Sequence, residues 1–485
     1  MSRDVTHLSG TALAHLIRSG ETSSREVLEA HISRLIRVNP KLNAVVADRF
    51  TLARAEADAA DNTLASSDPK SLAPFHGVPC TIKECFALEG MPQTSGSLSR
   101  KGHIAGSDAT GVRRYRQAGA IPMGVTNVSE LCLWMESDNP VYGLTNNPYD
   151  LGRTVGGSSG GEGAIIASGA SPFGLGSDIG GSIRMPAYFN GVFGHKPSPG
   201  LVPNTGQHPI AHREALQFLG TGPLCRRAED LMPLLRILSG PDGLDPSIET
   251  RELGDPESVD LSQLTVLTVP DNGAKKVDKE LQEAQERAAN HLASLGAKVQ
   301  VRQFEGFHHG AEMWITNLSA HEGKHTFRKL MGRPDTLDLV GQLGRWMVGG
   351  ADHTIVAILT GLFEDVGAGF EKRTRHFLSL TEEIRATVHA SLDPNTVILY
   401  PTYPRLAPRH HMPKLRVFDA GYTCIINLLH LCATHVPMGL SRKGLPLGFQ
   451  VVGVPGTDHQ TIAVAMELER AFGGWVPPTI QGVDR

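Results

Sequence analysis

A run of glycine and serine at 156–187, GGSSGGEGAIIASGASPFGLGSDIGGSIRMPA, constrains this chain more than any other stretch. It sets two serines, Ser158 and Ser182, in glycine. Glycine tolerates positive φ and lets backbones approach closely. Gly156, Gly157, Gly160 and Gly161 around Ser158, and Gly180 and Gly181 before Ser182, therefore mark tight turns with free backbone amides. Convergent N–H groups can hold the negative charge that develops on a carbonyl oxygen under attack. The candidate donors are the amides of Ile179, Gly180, Gly181 and Ser182. A Walker-type phosphate loop needs Gly-Lys-Ser or Gly-Lys-Thr at its end, which this run lacks, and no dinucleotide fingerprint fits.

A serine hydroxyl is a weak nucleophile until a base takes its proton. Lys83 ends a short apolar segment, 77–83, and a lysine serves as base when its surroundings keep it unprotonated. Here a second serine can relay the proton. A carboxylate facing that amine would oppose the role, so Glu84 is expected to point elsewhere. Asp178 and Arg184 are candidates for a buried ion pair that fixes the turn before Ser182. One competing reading takes Gly156-Gly157-Ser158-Ser159-Gly160 as a nucleophile elbow. Ser158 would then be the nucleophile of an α/β-hydrolase-type esterase. The segment 150–153 is a poor strand to precede such an elbow, and Lys83 and the second glycine–serine cluster go unexplained. A non-catalytic binding protein on the same fold would have no need of Lys83, Ser158 and Ser182 together.

With those residues in view, the sequence resembles the amidase signature family of serine hydrolases over nearly its whole length. The resemblance is carried by Ser23-Ser24-Arg25-Glu26, by 39–44, by Gly77-Val78-Pro79 with Lys83, and by 126–130. It continues through Asn146-Asn147-Pro148-Tyr149, the serine–glycine run, Gly194-His195-Lys196-Pro197-Ser198, and Gly444-Leu445-Pro446-Leu447-Gly448 with Gln450. Within the family, Gly-Gly-Glu-Gly at 160–163 and the stretch 176–186 look most like the fatty-acid amide hydrolases, their second type above all. The resemblance implies that Ser182 is the nucleophile and that Ser158 is the bridging serine, following a cis peptide after Gly157. It implies that Lys83 is the base. It implies one α/β domain over 1–485, with a mixed central sheet covered by helices on both faces. It also places Leu131, Cys132 and Trp134 beside the acyl-binding pocket. The amidase component of a tRNA-dependent amidotransferase belongs to the same family, but Glu162-Gly163 stands where such components usually carry small residues such as Ser-Ala. The implied substrate is a small-molecule amide, ester or carbamate with an apolar acyl or aryl group, handled without a cofactor.

Composition narrows the class further. A net charge of −4 and the lack of a long basic run argue against a nucleic-acid-binding surface. Six scattered cysteines show no zinc spacing and imply free thiols. The 21 histidines include adjacent pairs but no His-Glu-x-x-His, so no metal is expected. The first residues are polar and carry no secretory signal. The most apolar long stretch, 422–440, is broken by Asn427, His430, His435 and Pro437, so no membrane span is expected. These features lead to the expectation of a cytoplasmic enzyme. Peripheral membrane contact stays open through 337–363, which offers Leu339, Val340, Trp346 and Met347. That segment reads first as a core helix pair and second as an apolar lid. A homo-oligomer is left open.

Periodicity gives the α/β pattern. Helices are expected over 8–37, with caps at Ser9 and at Thr22 or Ser23, and over 108–118, 161–168, 277–295 and 461–472. Strands are expected over 79–83, 120–124, 173–177, 264–269, 397–401 and 448–454. Strands alternating with helices imply a sheet covered on both faces, in an order the sequence leaves open.

Overall fold

The computed structural model describes residues 4–211, 213–322, 326–332, 337–366 and 371–484. Among them, one sheet of eleven strands runs in the spatial order Val45–Asp48, Ile121–Thr126, Pro79–Lys83, Phe173–Asp178, Gly220–Cys225, Phe193–Lys196, Cys432–Leu440, Pro446–Gly453, Thr396–Tyr400, Thr265–Thr268 and Lys298–Val301. The sheet is mixed. Pro79–Lys83 is parallel to both its neighbours, and so is Thr265–Thr268. The central pairs, from Phe173–Asp178 through Pro446–Gly453, are antiparallel.

Pro79–Lys83, Ile121–Thr126, Phe173–Asp178, Gly220–Cys225, Phe193–Lys196 and Pro446–Gly453 are buried at every position. Successive strand residues point to opposite faces, so these strands have both faces covered. Ile82 and Leu175 are paired across two of them and fully buried. Each such side chain contributes about 1.5–3 kcal/mol through burial. The N-terminal helices begin where the capping residues place them. Ser9 Oγ accepts from the Ala12 amide at the start of Gly10–Ser19, and Ser23 forms a capping box with Glu26 at the start of Ser24–Leu42. Such a cap contributes about 1 kcal/mol.

The segment expected as a core pair or a lid forms two helices, Leu339–Met347 and Ile355–Val366. It is neither wholly core nor wholly surface. Leu339 and Ala357 are buried in a cluster with Leu131, Phe327 and Met331. Val340, Met347 and Val348 are exposed by 72, 73 and 82 %. Among the described residues no helix is long and apolar enough to cross a membrane.

Candidate active site

Pro79–Lys83 and Phe173–Asp178 run parallel, so their carboxyl ends open on the same edge of the sheet. The first ends in Lys83 and the second leads into the turn that carries Ser182. Ser158 and Ser159 lie just before the helix Gly160–Ala167. Gly157 lies hard against the chain at 134–136, where an added Cβ would collide with the Trp134 carbonyl. The Gly157–Ser158 peptide is cis. The two serine-bearing turns are tied directly, because the Ser159 amide donates to the Ser182 carbonyl at 3.2 Å.

Lys83 is fully buried, with its Nζ 2.7 Å from Ser158 Oγ and 2.9 Å from Ser177 Oγ. Ser177 was not among the residues singled out by sequence. It is the strand residue two places before Ile179, and its side chain helps hold the amine beside Ser158. Glu84 turns away, as expected: its carboxylate accepts from the Thr94 and Ser95 amides and from the Tyr142 hydroxyl. Glu162 is a second buried acid near the lysine. It accepts from Thr81 Oγ1 at 2.7 Å and Thr126 Oγ1 at 2.9 Å. Burial pushes its carboxyl up to about 8, against those hydrogen bonds. Near neutral pH it therefore carries little charge.

Ser182 is 7 % exposed, against 1 % for Ser158, and among the described residues its Oγ has no hydrogen-bond partner. Three of the four candidate donor amides, those of Ile179, Gly180 and Ser182, donate no hydrogen bond among the described residues. The fourth is taken. The Gly181 amide donates to Asp178 Oδ1 at 2.7 Å. The carbonyls of this turn are held from outside: Asp178 by Asn427, Ile179 by Trp314, Gly180 by Thr423, and Gly181 by the Met185 amide.

Asp178 and Arg184 form the buried pair, with Nε to Oδ2 at 2.9 Å and Nη2 to Oδ1 at 3.0 Å. Burial by itself would raise the Asp178 carboxyl; the Arg184 guanidinium and the Asn427 amide outweigh it and hold the acid well below the usual carboxylate range. Arg184 is spent on the fold, since it also binds Gln450, the Thr423 carbonyl and Asn427. It is therefore not free to receive a charged acyl group.

The three residues expected beside an acyl pocket part company. Cys132 lies beside Cys85, which draws its thiol down against the opposing effect of burial, while burial draws Cys85 up. Trp134 lines a narrow crevice with Glu130, Glu136, Asp138, Phe327 and Lys414. Leu131 is fully buried against Phe327, Met331, Leu339 and Ala357, so it anchors the outer helices instead of lining open space. Both Leu131 and Cys132 hold positive φ, 53° and 59°, which reverses the chain and sends the two side chains to these different places.

The alternative elbow finds no support in this geometry, because the partner of Ser158 Oγ is the lysine amine. The family model for amidases matches residues 26–462. The chain belongs to the amidase family. It is 44 % identical to human fatty-acid amide hydrolase 2 over 486 residues, which is 97 % of this chain and 90 % of that protein. It is 30 % identical to a glutamyl-tRNA(Gln) amidotransferase component from Chromohalobacter salexigens, over 95 % of this chain and 96 % of that protein. The solved structure of a 6-aminohexanoate cyclic dimer hydrolase superposes with a TM-score of 0.79 at 28 % identity, covering 98 % of this chain and 99 % of that one. This amidase is thus an amide-hydrolysing enzyme, more similar to the fatty-acid amide hydrolase than to the amidotransferase component.

Proposed function

We propose that this amidase hydrolyses the C–N bond of amides with an apolar acyl or aryl group through an acyl-enzyme on Ser182. The observation that carries the reading is the contrast between the two serines. Ser158 is paired to a buried lysine amine at 2.7 Å, while Ser182 is unpaired beside three free amides. In this mechanism Lys83 takes the proton of Ser158 as Ser158 takes that of Ser182. Ser182 Oγ bonds to the carbonyl carbon, and the oxyanion falls to the amides of Ile179, Gly180 and Ser182. The relay returns its proton to the leaving nitrogen as the C–N bond breaks. Water then attacks the ester, activated by the same relay, and releases the acid. Esters and carbamates present the same carbonyl and fit the same steps.

The apolar acyl preference rests on two supports. Arg184 is committed to Asp178, and the relative at 44 % identity is named for fatty-acid amides. The exposed face of Val340, Met347 and Val348 supports peripheral contact with an apolar surface, from which such a substrate would be drawn. The test is a series of acyl p-nitroanilides of increasing chain length. Each buried methylene contributes up to about 0.8 kcal/mol, so kcat/KM should climb up to about fourfold per methylene until the pocket is full. Faster turnover of acetyl than of hexanoyl and longer or aryl substrates would overturn the preference.

A further inference from the structure

Among the groups that clamp the turn before Ser182, Trp314 holds the peptide unit that carries the Gly180 N–H. It sits on the helix Gly310–Glu322, partly buried, and its indole Nε1 donates to the Ile179 carbonyl at 2.7 Å. Its helix is seated firmly, because Gly310 lies against the Gly421 carbonyl and Asn317 donates to Thr381 Oγ1 at 2.8 Å.

In a trans peptide the C=O and N–H vectors are antiparallel. The Ile179–Gly180 peptide is trans, so the bond from Trp314 to the Ile179 carbonyl also sets where the Gly180 N–H points. That N–H is one of the three uncommitted amides beside Ser182. Position 180 has a second dependence on the same side chain. A Cβ there would come within 2.9–3.1 Å of Trp314 Cε2, Cζ2 and Nε1, so the indole requires glycine beneath it. Glycine is also the residue that most easily lets the preceding peptide turn over, because its φ is unrestricted. The ring therefore imposes a freedom on the backbone that its own N–H removes.

We propose that Trp314 is a positioning residue for the oxyanion-binding amides: its indole N–H locks the Ile179–Gly180 peptide with the Gly180 N–H turned toward the carbonyl oxygen of the substrate. The role rests on the Ser182 acyl-enzyme reading above and goes beyond it by assigning a reaction step to a side chain more than a hundred residues away. An amide donor aimed at the oxyanion matters most in the transition state, so loss of the lock should lower kcat and leave KM nearly unchanged.

The experiment compares wild type with Trp314→Phe, and with the indole replaced by β-(3-benzothienyl)alanine, which keeps the ring shape and removes the N–H. Three readouts are taken on a hexanoyl p-nitroanilide: kcat and KM, the Ki of the matching trifluoromethyl ketone, and the Ki of hexanoic acid. The expected result is a fall of about ten- to hundred-fold in kcat, below the 10²–10³ that deletion of an oxyanion donor costs. The ketone Ki should rise by about the same factor, and the acid Ki should move less than about twofold. Adding Gly180→Ala to Trp314→Phe should restore part of kcat, since alanine disfavours the turned-over peptide and the smaller ring leaves room for a Cβ. Equal losses for ketone and acid, unchanged kcat in the benzothienyl enzyme, or no recovery in the double variant would each overturn the proposal. Failure of the underlying reading looks different, because wild type would then not depend on Ser182 at all.

Discussion

The serine–glycine core and the outer helices of 326–332 and 337–366 meet at Leu131 and Cys132, yet they are built in opposite ways. In the core almost every polar group is spoken for. Asp178, Arg184, Asn427 and Gln450 are linked by hydrogen bonds, and Lys83 holds both Ser158 and Ser177. The outer helices present one buried apolar face through Leu339 and Ala357 and leave Val340, Met347 and Val348 in solvent. A buried polar network has discrete geometry, because each unmet group costs about 1–3 kcal/mol. An exposed apolar face has no such constraint. The proposed reaction thus lies in a region with little room to vary, whereas the outer face can change without unfolding the protein.

Substitutions can break this comparison, and the largest effects should fall in the core. Lys83→Met should lower kcat for an anilide by at least about 10³-fold, within the range for loss of a positioned acid–base group, with little change in melting temperature. Activity within tenfold of wild type would remove the lysine from the relay. Asp178→Asn leaves the Arg184 guanidinium buried without its counter-ion. It should destabilise the fold by about 3–5 kcal/mol in a denaturant titration, and a loss below about 1 kcal/mol would mean the network repairs itself.

Glu162 sharpens the comparison through pH. Its folded-state value of about 8 lies above the ordinary 4.5, so between these values the folded protein keeps a proton that the unfolded chain has lost. Stability from this group therefore falls as pH rises through that window. Glu162→Gln cannot titrate. The stability of wild type relative to this variant should drop between about pH 5 and about pH 8, and parallel curves would contradict it. In the outer helices, Met347→Ser should change stability by no more than about 0.5 kcal/mol. A loss of 2 kcal/mol or more, roughly that of a buried side chain, would show this face to be covered.

The parts of the fold and site that were legible in the sequence are those whose cause is local. Pro79–Lys83 falls where an apolar segment predicts it, and the caps at Ser9 and Ser23 mark their helices. Glycine spacing alone singled out the two serine turns. What was not legible depends on distant partners. Cys432–Leu440 reads poorly as a strand because it contains His435 and Pro437. His435 is accommodated by Thr402 at 2.9 Å, and the register breaks after Pro437. The commitment of the Gly181 amide to Asp178 follows from a backbone turn that composition does not specify. The resemblance set Leu131 beside an acyl pocket, and its place in the outer cluster, at positive φ, has no local sign in the sequence. The role of Trp314 likewise has no local sign in the sequence. Its bond to the Ile179 carbonyl joins residues 135 positions apart.

In the proposed mechanism the two serines have different tasks, with Ser182 taking the acyl group and Ser158 passing the proton. Reacting the enzyme with a fluorophosphonate, digesting it and locating the adduct by mass spectrometry tests this directly, since the probe phosphonylates the attacking hydroxyl. The expected result is an adduct on Ser182 and no labelling in Ser182→Ala. An adduct on Ser158, retained in Ser182→Ala, would contradict it.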